Sequence, residues 1–121
     1  MLSKGFAAVL VLAVVFADAA RADVITDWNS RAEAIAIEKR IGPPPNARIM
    51  TIMHVAMFEA VNAIERRYSH YALKLSADKA VAKEAAAAAA AHTVLSAIHS
   101  DRKADLDAAL KLSIPSGRQK L

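Results

Sequence analysis

Ala85 to Ala91 form an unbroken run of alanine, and no other feature narrows the fold as much. Alanine has the highest helix propensity of any residue and is depleted in strands. With Val81 ahead of it and Val94-Leu95 behind it, the run reads as helix rather than as low-complexity disorder. Its thin surface lets another helix approach closely. The composition agrees with an all-α chain. Only 3 glycines, 4 prolines and 5% aromatics occur in 121 residues, too few turn and strand formers for a β-sandwich or barrel. A charged fraction of 23% with net charge +4 is ordinary for a folded protein. At 12.9 kDa the chain makes one small domain. The absence of cysteine excludes disulfides, a thiolate zinc site and a cysteine nucleophile. The pI near 9.6 reflects a small, scattered basic excess and calls for no nucleic-acid partner.

Residues 1–22 read as a secretory signal peptide. Lys4 supplies the positive start, Gly5 to Ala17 the apolar stretch, and Ala20-Arg21-Ala22 small residues at the positions before a cut ahead of Asp23. Asp18 and Arg21 end the apolar stretch short of the roughly 20 residues a membrane span needs. An uncleaved anchor is the competing reading, and it is the only membrane contact the sequence suggests. Cleavage removes Lys4, Arg21 and Asp18, which takes the net charge from +4 to +3. The expected address of residues 23–121 is the periplasm or the exterior.

That remainder reads as about four helices. Asp23 to Thr26 is a short extended lead. A first helix spans about 30–41, with Ser30 and Glu33 in capping-box spacing. Gly42-Pro43-Pro44-Pro45 breaks it. A second helix spans about 46–66, with Asn46 as N-cap. Ile49, Ile52, Met53, Ala56, Met57, Ala60, Ala63 and Ile64 repeat at helical spacing. The polar stripe is narrow: Arg48, Thr51, Glu59, Asn62 and Arg66. A helix apolar around most of its circumference is buried and needs neighbours on two or three sides. A connection carrying Tyr68, His70 and Tyr71 follows. A third helix spans about 77–99, with Val81, Ala85, Ala88, His92, Leu95 and Ile98 as its stripe. A fourth spans about 101–113, with Ser100 as its cap, and Pro115-Ser116-Gly117 ends it.

No catalytic constellation stands out. His92 and His99 lie seven apart, His54 and His70 lie elsewhere, and no HExxH occurs, so metal spacing is missing. His54 reads as a core histidine between Met50 and Phe58. Asp101, Asp105 and Asp107, and likewise Glu33 and Glu38, read as solvated charge. Ser116 has no base supplied to it. Arg66-Arg67 reads as solvated charge at a helix end. The sequence therefore assigns no catalytic, cofactor-binding or metal residue.

Asp23-Val24-Ile25-Thr26-Asp27-Trp28-Asn29, Pro43-Pro44-Pro45-Asn46-Ala47-Arg48 and above all Met53-His54-Val55-Ala56-Met57-Phe58-Glu59-Ala60-Val61-Asn62-Ala63-Ile64 resemble the N-terminal region of vanadium-dependent haloperoxidase-like proteins of the phosphatidic acid phosphatase type 2 superfamily. The resemblance covers about Asp23 to Leu112 and implies an all-α fold. It also implies a site that cages phosphate, or vanadate in some members, between lysine, arginines and histidines. That cage belongs to three motifs: a lysine followed by Arg-Pro, then Pro-Ser-Gly-His, then an arginine paired with a later histidine. None occurs here; Pro115-Ser116-Gly117 is followed by Arg118 where the histidine belongs. The resemblance carries over only scaffold: Trp28, Asn29 and the second helix. It implies an exported helical scaffold segment, truncated and inactive alone, with no cofactor of its own. Its partner would be the missing catalytic half or a further copy of the chain. The alternatives are a free-standing periplasmic helical module that binds a partner, and an enzyme that uses its histidines.

Overall fold

The computed structural model describes residues 23–78 and 82–114. The expected leader at 1–22 and the Pro115-Ser116-Gly117 turn lie outside them, as does Val81. Among the described residues there are four α-helices and no strand, so the chain is all-α as the sequence implies. The helices are α1 (Val24–Glu38), α2 (Pro43–Glu65), α3 (Lys83–Ile98) and α4 (Lys103–Ser113).

The helix starts differ from expectation, each for a local reason. Asp23, not Ser30, begins α1. Its Oδ1 accepts the Thr26 N–H at 2.8 Å, and those amides hold its carboxyl below the usual range. The expected extended lead is thus helix. Ser30 lies inside α1 and donates back to the Thr26 carbonyl. The breaker at 42–45 starts the helix about one turn ahead of Asn46. Gly42 is the N-cap of α2, and Pro43 and Pro44 open its first turn, where a missing N–H costs nothing. Asn46 instead donates to Glu33 Oε1 at 3.1 Å, tying α2 to α1. At the end of α1 the Ile41 N–H bonds the Ala36 carbonyl and the Arg40 N–H bonds Ile37, with Arg40 left-handed at φ 54°. That is a Schellman ending with arginine where glycine is usual. Ser76 to Asp78 are not helical, and α3 begins at Lys83. Ser100 makes no side-chain cap; a 3-10 turn at Ser100–Arg102 leads into α4.

The alanine helix α3 is the hub. Helices α1, α2 and α4 all pack on it, whereas α1 and α2 touch each other little. Ala87, Ala88, Ala91 and Leu95 are buried on α3; Ala88 and Leu95 belong to the expected stripe, whereas its Ala85, His92 and Ile98 are half-buried or exposed. Around them sit Trp28, Ala32 and Ile35 of α1, Met53 and Met57 of α2, and Leu106 and Ala109 of α4. The fully buried Trp28 ring meets the His92 ring edge-on at 6.4 Å. The α1–α3–α4 end is sewn by polar contacts. Lys39 bonds Asp101 Oδ1 and lies 3.3 Å from His99 Nδ1; Arg102 pairs with Glu38. Asp107 pairs with Lys103 at 2.7 Å and with His92 at 2.6 Å. Glu38 and the α4 aspartates are therefore partnered rather than merely solvated.

Two outcomes follow from this packing. Met53 and Leu95 are fully buried, so Met53→Ala or Leu95→Ala should lower denaturant-derived stability by about 2–5 kcal/mol. Phe58 is 38% exposed, contrary to the expected core position, and Phe58→Ala should cost less than either. His99 is buried at the α3 end, and burial, followed by the neighbouring Lys39 charge, pushes its pKa down from 6.5. The unfolded chain then binds the proton more readily. Stability should be complete above about pH 6.5 and should fall as the pH drops below it. His99→Gln should reduce this dependence in denaturant titrations run at several pH values.

Candidate functional site

Sequence reasoning placed Glu59 and Asn62 on a solvent stripe of the second helix. They are instead buried, and they organise the most unusual part of the molecule. Arg66 ends α2 in the left-handed region at φ 53°, turning the chain back along the helix it has just left. Asn62 then receives and returns a pair of bonds: its Oδ1 accepts the Tyr68 N–H at 3.0 Å, and its Nδ2 donates to the Tyr68 carbonyl at 2.9 Å. One turn earlier, Glu59 Oε1 accepts the Tyr71 N–H at 2.5 Å and Oε2 the Leu73 N–H at 3.1 Å. The Tyr71 amide, then burial acting the opposite way and the Leu73 amide, leave the Glu59 carboxyl below its ordinary range. The Ala77 N–H completes the clamp on the Ala63 carbonyl. At the far end, Lys83 pairs with Glu65 at 2.6 Å and joins the start of α3 to the end of α2.

The clamp fixes the main chain of residues 68–77 and leaves its large side chains open to solvent. Tyr71 is 76% exposed and Leu73 60%. Between this segment, α2 and α3 lies an apolar groove of about 800 Å³. Ile52, Val55, Ala56 and Ala60 form its α2 wall, and Ala86, Ala89 and Ala90 its α3 wall. Ile52 is 43% exposed. Thus α2 is covered along one face by the core and left open along this one, short of the two or three neighbours its pattern demands. By length and composition alone α2 could cross a membrane, a test that a core helix also meets. A smaller pocket of about 320 Å³ lies between α1 and α2, lined by Ile25, His54, Met57, Phe58 and Tyr68 among others.

The polar candidates do not converge. His54 is exposed rather than a core residue, and its Nε2 meets Asn29 Oδ1 at 2.6 Å. Arg66 donates to Ser76. Arg48 and Arg66 sit at opposite ends of α2, about 27 Å apart at 1.5 Å per residue. His70 stands exposed on the connection. Among the described residues no three His, Asp or Glu side chains gather as a metal site would need. These cations do not fit a vanadate or phosphate cage, which needs several donors aimed at one anion. The groove and the clamped segment are therefore the features with room to act.

No family model, no curated protein and no solved structure matches the chain.

The clamp makes its own prediction. Glu59→Gln leaves a single acceptor oxygen for the two amides and sets a donor NH2 against one of them, and Glu59→Ala leaves no acceptor. Trypsin cleavage at Arg67 and Lys74 should accelerate several-fold in Glu59→Ala, because the segment opens locally. Protection in the unaltered chain should also fall as the pH drops through the Glu59 carboxyl range. The folded pKa lies below the unfolded one near 4.5, so the stabilisation is present above about 4.5 and disappears as the carboxyl protonates.

Proposed function

We propose that this chain is an exported helical scaffold segment of the vanadium haloperoxidase-like kind, without catalysis of its own. The observation that supports this reading best is the open apolar groove between α2 and α3. The groove suits an apolar helix of a catalytic half. Alanine on the α3 wall permits close helix approach, while Ile52 and Val55 offer side chains to interdigitate. The dispersed cations agree with a scaffold role, because Arg48, His54 and Arg66 cannot serve one anion. In this reading residues 1–22 direct export, the address is periplasmic or secreted, and any vanadate belongs to the half that carries the cage motifs. The alternative, a free-standing periplasmic module, would use the same groove for an unrelated helix.

The purified chain should release no phosphate from an aryl phosphate and brominate no dye with added vanadate and peroxide. Adding a polypeptide that carries Pro-Ser-Gly-His and the arginine-histidine pair should yield a complex. Ile52→Asp should weaken that complex at least tenfold by burying an unpaired charge, a cost above about 1.4 kcal/mol. Turnover by the chain alone that disappears in His54→Ala would overturn the scaffold reading. Failure of such a polypeptide to bind, with intact folding on both sides, would favour the free-standing module.

A further inference from the structure

The clamped segment is exposed as well as groove-lining: Tyr71, Leu73 and Leu75 stand at the edge of the groove and remain open to solvent. From Arg66 to Ala77 the sequence holds three cations, Arg66, Arg67 and Lys74, and no acidic residue. The same stretch exposes two tyrosines and two leucines: Tyr68 at 64%, Tyr71 at 76%, Leu73 at 60% and Leu75 at 46%. Of the carboxylates around it, Glu59 is buried against main-chain amides, Glu65 is paired with Lys83 and lies near Arg67, and Asp78 follows in the chain. A segment this apolar is costly to leave in water, and the Glu59 and Asn62 clamp holds its main chain at the edge of the groove with these side chains still exposed.

We propose that residues 66–77 dock on an anionic phospholipid surface. The residue types match the layers of such a surface. Tyrosine prefers the headgroup level, where its ring is sheltered and its hydroxyl stays wet. Leu73 and Leu75 reach the acyl boundary, and Arg67 and Lys74 meet the lipid phosphates. A second copy of this chain fits poorly, because a two-fold contact would set one triply cationic segment against another. Single-stranded nucleic acid would use the tyrosines and cations but leave the two leucines without a role. This contact is separate from the apolar N-terminal stretch that the sequence alone suggests as an anchor, and it is an alternative to a helix filling the groove, because Tyr71, Leu73 and Leu75 line that groove.

The test uses the full chain with Tyr71→Trp as a local reporter. The buried Trp28 gives a constant background, and an N-terminal anchor would not place residue 71 in lipid. Vesicles rich in phosphatidylglycerol should shift the reporter emission to the blue, and pure phosphatidylcholine vesicles should shift it far less. Added salt should weaken the effect. Arg67→Glu together with Lys74→Glu should cut partitioning by more than the roughly fivefold that each basic residue contributes near such a surface. Leu73→Ser with Leu75→Ser should abolish the blue shift while circular dichroism shows unchanged helix. The proposal is overturned by an equal shift with both lipids, by charge-reversed variants that partition unchanged, or by no shift at all. It is equally overturned by a shift that grows with protein concentration without vesicles, which assigns the patch to a second copy, or by an equal shift with a single-stranded oligonucleotide.

Discussion

Close approach to an alanine surface is the constraint on which this fold rests. Helix α3 buries Ala87, Ala88 and Ala91 with Leu95, and three other helices pack against it. So small a side chain leaves little apolar bulk of its own. The neighbours supply the volume, with Trp28 from α1 and Met53 and Met57 from α2. Packing of this kind is unforgiving, since an added methylene has nowhere to go. It also leaves the opposite α3 wall, with Ala86, Ala89 and Ala90, equally thin and open. The core and the groove are two uses of one property.

Polar bonding takes over where alanine offers too little. The α1–α3–α4 end is held by Lys39, His99, Asp101, Arg102 and Glu38, and the α3–α4 side by His92 with Asp107. Exposed ion pairs are individually weak. The α2 clamp differs because Glu59 and Asn62 are buried and accept main-chain amides, and the bonds to the charged Glu59 carboxylate are stronger than neutral ones. They order a connection that has no regular secondary structure.

What could be read in the sequence was what propensity and periodicity control. The alanine run, the proline breaker and the helical repeat of α2 pointed to an all-α fold of about four helices, and the described residues have that architecture. Helix starts were harder. Asp23 and Ser30 are both good caps by type, and only the realised Asp23–Thr26 bond distinguishes them. The candidate site was hidden for a different reason. Glu59 and Asn62 stand three apart on α2, a spacing that also suits a solvent stripe. Their burial depends on a left-handed turn at Arg66, a conformation that residue type disfavours. Polar residues on an otherwise apolar helix, just ahead of an irregular aromatic segment, were the available signal. His54 misled in the other direction: its apolar neighbours suggested burial, but Asn29 meets it at the surface.

Glu59 recognises amides rather than side chains, which gives the connection an unusual freedom to change. Its path depends on N–H groups at Tyr71 and Leu73, so any residue except proline could occupy those two positions without losing the bonds. The outward chemistry of residues 68–75 can then be rewritten while the helices beneath stay as they are. A buried acid thus separates where this segment runs from what it displays, and drift in the display leaves these main-chain bonds intact.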